Sequence, residues 1–293
     1  MRRLYFVHLA AGLLLSVGVG AAQQWVVTRT KADIEAEIKG TQVSVALDRP
    51  SIVAGEPLTL TVTIRNETGT DKMRCTDKNC VAWTVRSPSG VVASAWQPPR
   101  SGDMAGPAAL LAPHASRSFS VVASDTAGIG APGSYEIVVR YMDMAWDQLG
   151  ADAEPRSFTV LPRDEAELAK RARELSEAAV SPAADVLAFQ SLAVIRYPVP
   201  EPALCDAIDH NVLAAQYLVP RLEASGDAEA VGCLVNQLGK GGLNATVIIA
   251  ALGRMTRTQV DPTLRRSIED GIAGACARAT PDTPWTKGAC SKP

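Results

Sequence analysis

Histidine and the motifs of catalytic and metal sites are scarce in this chain. Its 293 residues include three His, of which His114 and His210 follow the N-terminal apolar segment. The sequence contains no His-Glu-x-x-His, no Cys-x-x-Cys and no Gly-x-Ser-x-Gly motif. These absences remove the usual patterns of a zinc site and of a serine nucleophile. We therefore predict no metal, no cofactor and no catalytic residues, and we favour a non-enzyme.

One histidine stands close to carboxylates. His210 follows Asp206 and Asp209 in the sequence, and a Ser-His-Asp or Cys-His site needs a base that is positioned in this way. We interpret the cluster as helix capping with a surface imidazole, near the start of a helix predicted over Asn211–Ser225. Catalysis by carboxylates alone leaves no spacing to detect, so an exported carboxylate-dependent hydrolase, with an accessory β domain, stays open as an alternative.

A strong excess of either charge is also absent. Lys and Arg number 29 and Asp and Glu number 31, which gives a formal net charge of −2. No basic stretch stands out. A nucleic acid or an anionic membrane surface is therefore not an expected partner.

The N-terminus has the pattern of a secretory signal. Arg2 and Arg3 precede the apolar stretch Leu4–Val19, and the small residues Gly20–Ala22 follow it. This predicts a signal peptide over residues 1–22, cleavage before Gln23 and a periplasmic or extracellular protein without an integral membrane span. Retention of the segment as a membrane anchor is the competing interpretation.

All six cysteines follow this segment. An even number of Cys in an exported chain predicts disulfide bonds. Sequence proximity favours three pairs: Cys75–Cys80, Cys205–Cys233 and Cys276–Cys290. For Cys205 and Cys233 the alternative is a pair of small buried thiols.

Residues 40–162 follow the period of β-strands, after a charged lead-in segment over residues 23–39. In Pro57–Asn66, four apolar residues alternate with Thr and Arg, which is typical of a strand with one buried and one wet face. Seven or eight such stretches occur between turn signals such as Ala54–Pro57. The pattern predicts an antiparallel β-sandwich.

Three features resemble immunoglobulin-like or fibronectin type III-like domains of exported bacterial proteins. They are the run Arg49–Val62, the position of Trp83 on the third strand, and Pro132–Ile137 with Tyr135 as the corner tyrosine. The resemblance implies an N-terminal Ig-like sandwich over residues 40–162. The inter-sheet Cys pair of antibody domains is missing.

The segment after Tyr141 is the candidate recognition loop of this half. Sandwich loops often bind ligands, so Met144, Trp146 and Asp147 are candidate binding residues. Packing of Met144 and Trp146 against the sandwich edge or the second half is the alternative. The carboxylates of the loop do not have the spacing of a calcium loop, so no metal is assigned.

From Asp164 the apolar period becomes helical. Asp164, Asp227 and Asp261 stand where helix N-caps are expected, and Gly226 suits a helix end. The stretches Gly226–Val231 and Ala250–Met255 resemble HEAT-type helical repeats. This implies an α-α superhelical domain over residues 163–279, followed by a tail over residues 280–293. A compact bundle without repeats is the alternative.

These observations predict an exported non-catalytic binding or scaffolding protein. Its expected partner is a protein or a component of the cell envelope, bound by the helical concavity or by the loop over residues 142–155. An Ig-like protease inhibitor is a further alternative besides the hydrolase.

Overall fold

The computed structural model describes residues 39–75, 80–87, 89–90, 92–96, 108–123, 129–142, 150–181, 186–241, 244–259 and 261–278, with Ala32, Glu35, Ala36 and Cys290. Within residues 73–75, 92–96 and 108–109 it describes the backbone. An N-terminal β region is followed by a C-terminal region that is entirely helical. The predicted β-plus-α organisation is therefore confirmed.

The described part of the β region contains eleven strands: β1 (Thr41–Leu47), β2 (Ser51–Val53), β3 (Thr59–Asn66), β4 (Lys72–Cys75), β5 (Val81–Arg86), β6 (Val92–Trp96), β7 (Ala108–Leu111), β8 (Ser116–Val122), β9 (Gly133–Met142), β10 (Gly150–Asp152) and β11 (Arg156–Leu161). One sheet has the order β1-β3-β8. A second has the order β2-β11-β9-β5-β6, with β10 paired to β9, and β4 pairs with β7. The pairing of β2 with β11 is parallel.

The alternating pattern of β3 places its apolar residues in the core. Leu60, Val62 and Ile64 are completely buried, and they share one core with Trp83 and Ile137 of the other sheet. The Thr residues of β3 lie on the opposite face, where their hydroxyls bond Ser118 and Ser120 of β8. Burial of the apolar face on the second sheet therefore fixes the register of β3.

The described part of the helical region contains seven α-helices: α1 (Glu165–Val180), α2 (Val186–Val194), α3 (Glu201–His210), α4 (Ala215–Ser225), α5 (Ala228–Lys240), α6 (Ala245–Thr258) and α7 (Pro262–Ala277). They pack in two layers, with α1, α3, α5 and α7 in one and α2, α4 and α6 in the other. Asp164, Asp227 and Asp261 accept hydrogen bonds from backbone N–H groups in the first turns of α1, α5 and α7. No helix among the described residues has both the length and the apolar character needed to cross a membrane.

The chain around His210 differs from the sequence prediction. The pattern predicted a helix over Asn211–Ser225 with His210 near its start, but His210 ends α3. The Asn211 side chain accepts a 2.9 Å hydrogen bond from Leu213 N–H and caps a short 3₁₀ helix over Val212–Ala214. Because Asn competes for local backbone donors, it delays the start of α4 to Ala215.

The turn after β2 joins the two regions. Val53 is 8% exposed and belongs to the core of the helical region. The carbonyl of Gly55 accepts a 2.9 Å hydrogen bond from the backbone N–H of Arg196, which follows α2. The two regions are thus connected by packing and hydrogen bonds as well as by the chain itself.

A buried carboxylate completes this junction. The Glu56 side chain is 2% exposed and accepts a 2.5 Å hydrogen bond from Arg49 and a 3.1 Å bond from Val53 N–H. Arg171 of α1 brings its Nε to 3.9 Å from the same carboxylate. A buried charge is tolerated when it is paired and hydrogen-bonded, and Arg49 and the Val53 N–H supply these partners to Glu56.

Candidate functional site

Two neighbouring cavities open on the layer formed by α1, α3 and α5. Each has a volume of about 470 Å³, which lies within the usual range for ligand pockets. The first turn of α3 separates them, since Pro200 and Ala203 line one cavity whereas Glu201 and Pro202 line the other. We call them the apolar groove and the acidic groove.

The apolar groove lies between α1 and the segment that leads into α3. Small side chains form its helical walls, and proline-rich backbone forms the third wall. Arg173 and Glu177 of α1 add one charge of each sign. The lining residues are Ala169, Ala172, Arg173, Ser176, Glu177, Tyr197, Pro198, Val199, Pro200 and Ala203.

Arg221 of α4 supports the proline-rich wall from behind. Its guanidinium donates to the backbone carbonyls of Leu192, Ile195 and Tyr197, the last at 2.5 Å. These carbonyls belong to the last turn of α2 and the chain after it, where no helical N–H is available to them. Burial lowers the pKa of Arg221, and the charge of Glu201 acts in the opposite direction. The hydrogen bonds donated by Arg221 therefore hold the backbone that forms the wall of the groove.

The acidic groove lies between α3 and α5. In the described part of the chain its lining contains four carboxylates and no Lys or Arg. The lining residues are Glu201, Pro202, Cys205, Asp206, Asp209, Glu229, Gly232, Cys233, Asn236 and Gln237. Asp206, Asp209 and Glu229 are exposed, and Glu201 is half-buried.

Two of these carboxylates have structural partners. Asp209 accepts a 2.7 Å hydrogen bond from Gln237 and is paired with Lys240. The bond from Lys240 holds the pKa of Asp209 below its ordinary value. The Ser225 hydroxyl lies 3.1 Å from Glu201 and 2.6 Å from Asp227, so these two carboxylates share its one proton. Within the part of the chain that the structure describes, no side chain or backbone donor bonds the carboxylates of Asp206 and Glu229.

A disulfide bond forms part of the wall of the acidic groove. Cys205 of α3 is bonded to Cys233 of α5, with 6.0 Å between their Cα atoms. Cys276 of α7 is bonded to Cys290. Both pairs are those that sequence proximity favours, and the buried-thiol alternative for Cys205 and Cys233 is wrong.

The remaining cysteine prediction concerns the β region. Cys80 is completely buried and disulfide-bonded. The side chain of Cys75, its predicted partner, lies outside the described side chains.

His210 does not assemble a catalytic cluster among the described residues. Its Nδ1 lies 2.7 Å from the backbone carbonyl of Asp206, so the imidazole caps the end of α3. The neighbouring Asp209 is committed to Gln237 and Lys240. No group of three or more His, Cys, Asp or Glu in the described chain is arranged to hold a metal ion.

Of the predicted recognition loop over residues 142–155, residues 143–149 lie outside the described residues, and the described part contains the strand β10. Met144, Trp146 and Asp147 lie in the gap between β9 and β10, so their role stays a prediction. No sequence pattern described above indicates the two grooves. The available signal is the stretch Tyr197–Pro202, because four of its six residues are Pro or Tyr, and such a stretch by itself predicts a break between helices.

The similarity of this chain to known proteins is remote. No protein-family model matches it, and no curated protein is significantly similar to it. One similar structure is the CARDB domain of a Pyrococcus furiosus protein in complex with di-metal ions, at 11% identity and a TM-score of 0.23. The match covers 41% of this chain and 87% of that one.

Two further structures match at a similar level. The sporulation control protein Spo0M of Bacillus subtilis has 11% identity and a TM-score of 0.27, with 46% of this chain and 55% of that one covered. An alkylpurine DNA glycosylase of Pseudomonas fluorescens, bound to DNA containing an abasic site analog, has 13% identity and a TM-score of 0.27. That match covers 43% of this chain and 31% of the glycosylase. Similarities this remote assign neither a fold family nor a function.

Proposed function

We propose that this chain is an exported, non-catalytic binding protein that captures a segment of a partner protein or envelope component in the two joined grooves. One observation carries the proposal: an apolar cavity and an acidic cavity meet at the first turn of α3. A site of this kind offers apolar contact area beside charges that orient the bound segment.

The scaffold of the proposed site is a HEAT-like array of helix pairs. The alternation of α1, α3, α5 and α7 in one layer with α2, α4 and α6 in the other supports this assignment. So do the short connections, such as the single left-handed Gly226 between α4 and the Asp227 cap of α5. Stacked helix pairs present grooves between successive helices of a layer, which is the position of both cavities.

For the β region we propose an Ig-like sandwich that supports the helical region. The common core of its two sheets supports the assignment. The Tyr135 hydroxyl donates a 2.8 Å hydrogen bond to the carbonyl of Ala131, four residues upstream, as a corner tyrosine does. The junction at Gly55 and Glu56 would hold the sandwich in a fixed orientation behind the grooves.

Export is the proposed cellular context. The signal pattern of residues 1–22 lies outside the described residues. The Cys205–Cys233 and Cys276–Cys290 bonds support the proposal, since disulfides persist in oxidising compartments.

A carboxylate-dependent hydrolase is the second candidate, because the acidic groove collects four carboxylates. Such an enzyme needs one acid that stays protonated as a proton donor. Asp209 does not suit that role, since its pKa is lowered by Lys240. Asp206 and Glu229 would have to form the pair. Hydrolysis of glycosides or esters that disappears in Asp206→Asn, with folding unchanged, would favour this candidate.

Groove-filling variants test the binding proposal. Ala169→Trp and Ala203→Trp would occupy the apolar groove from opposite walls. Ala250→Trp places the same side chain at an exposed position of α6, in the other layer. We expect the tagged wild type and Ala250→Trp to retain the same defined partners from the envelope fraction, and both groove variants to lose them. Equal capture by all four folded proteins would overturn the proposal.

A further inference from the structure

We infer that the bound segment is an extended stretch of protein that carries an apolar side chain and, about three residues away in either direction, Lys or Arg. This inference rests on the proposed function and specifies its partner chemistry. The apolar side chain occupies the groove between α1 and α3, and the cationic one occupies the groove between α3 and α5.

The apolar preference follows from the walls of the first groove. Ala169, Ala172 and Ala203 present methyl groups. Pro198 and Pro200 have no backbone N–H to donate. The groove therefore favours an apolar side chain, which binds through dispersion contacts and the exclusion of water rather than through hydrogen bonds.

The cationic preference follows from the charges of the second groove. Among the described residues, its lining has four carboxylates and no basic side chain. Glu201 and Asp209 are engaged by Ser225 and by Gln237 with Lys240. Asp206 and Glu229 are exposed, and none of the described groups donates to them. These two carboxylates are therefore available to an incoming ammonium or guanidinium group.

The spacing follows from the first turn of α3. Pro200 and Ala203 face one groove, and Glu201 and Pro202 face the other. The two grooves lie on opposite sides of α3, and the axes of packed helices are about 8–10 Å apart. An extended chain rises about 3.3 Å per residue, so about three residues separate the apolar anchor from the cation.

A display library of random dodecapeptides, selected on the full chain after removal of the signal, supplies the probe. Counter-selection uses the Ala203→Trp variant. We expect enrichment of peptides with an apolar residue and a Lys or Arg about three positions apart. The best peptide, made synthetically, should bind about tenfold more weakly to the Asp206→Asn, Glu229→Gln double variant than to the wild type.

The Glu269→Gln, Asp270→Asn double variant of α7 is the matched control. It makes the same change in net charge at exposed positions outside both grooves. Its affinity for the peptide should equal that of the wild type. Raising the salt from about 50 mM to about 500 mM should weaken the wild-type complex more than the Asp206, Glu229 variant complex.

The outcomes separate this inference from the proposed function. Groove-dependent peptides without Lys or Arg, or an affinity unchanged in the Asp206, Glu229 variant, would overturn the cationic partner while leaving a groove-binding protein. Failure to select any peptide that Ala203→Trp excludes would overturn the inference as a whole. The envelope capture experiment then decides the proposed function independently.

Discussion

The guanidinium of Arg221 donates a 2.5 Å hydrogen bond to the backbone carbonyl of Tyr197. Through this bond, a residue of α4, in one helix layer, fixes the position of the proline-rich wall that leads into α3, in the other layer. The same guanidinium also holds the carbonyls of Leu192 and Ile195. The apolar groove is therefore a product of tertiary packing, and its shape depends on a side chain that does not line it.

Replacing Arg221 by Ala should cost about 3 kcal/mol of unfolding free energy, because three backbone carbonyls lose a charged donor in a partly buried site. Urea titration measures the change. Arg254→Ala is the control: Arg254 pairs with Glu223 at the surface and should cost at most about 1 kcal/mol. Equal losses in the two variants would contradict the role given to Arg221.

The two disulfides of the helical region should separate stability from binding. Replacing Cys205 and Cys233 by Ala should cost about 3–4 kcal/mol, and replacing Cys276 and Cys290 about 3 kcal/mol, since the bonds close loops of different length. The first bond connects α3 to α5 beside the acidic groove. We therefore expect partner capture to fall in the first double variant and to stay unchanged in the second, under conditions where both are folded. A parallel fall in both would show that capture follows stability alone.

Gly55 should tolerate substitution less well than Gly90. Both have positive φ, +101° and +78°, so Ala is strained at either position. A Cβ on Gly55 would also lie 2.9 Å from Arg163 Nη1 and 3.2 Å from Arg196 Cβ, whereas a Cβ on Gly90 meets nothing within 4 Å. Gly90→Ala should cost about 1 kcal/mol, and Gly55→Ala should cost more.

Limited proteolysis gives a further comparison of the Gly55→Ala and Gly90→Ala variants. If the turn at Gly55 joins the two regions, Gly55→Ala should speed cleavage of the chain between β11 and α1. Gly90→Ala should leave that rate unchanged. Identical cleavage rates in the two variants would argue against a junction at Gly55.

The cap of α5 should make stability depend on pH in the acid range. The hydrogen bond from Ala230 N–H, with that from Ser225, holds the pKa of Asp227 below its ordinary value. The unfolded state therefore binds this proton more readily, and the stabilisation present above about pH 4 is lost as the pH falls through the folded-state pKa. Asp227→Ala should cost about 1 kcal/mol at pH 7 and progressively less as the pH falls below about 4. A cost that does not change with pH would contradict a charged cap.

Local signals account for the parts of the fold that the sequence predicts. The alternation of Leu60, Val62 and Ile64 with Thr corresponds to the buried and the more exposed face of β3. The caps Asp164 and Asp227 act within three residues of themselves. Each of these features depends on neighbours in the chain, so a single sequence contains the information.

The grooves depend on residues that are far apart in the chain. Ala169 and Tyr197 face each other only because α1 packs beside α3, and Asp206 and Glu229 approach each other only because α3 packs beside α5. No periodicity records such a pairing. The predicted helix boundary after His210 was wrong for a different, local reason, since Asn211 accepts a hydrogen bond from Leu213 N–H and delays the start of α4.

Site-specific photo-crosslinking shows whether the two grooves hold the partner. A photoreactive phenylalanine analogue is introduced at Ala203 or Glu229, in the grooves, and at Ala250 or Glu269, which are exposed outside them. Irradiation of cells exporting the chain should yield adducts of one common mass from the two groove positions and none from the two controls. Adducts of equal yield from all four positions, or from the control positions alone, would contradict binding in the grooves.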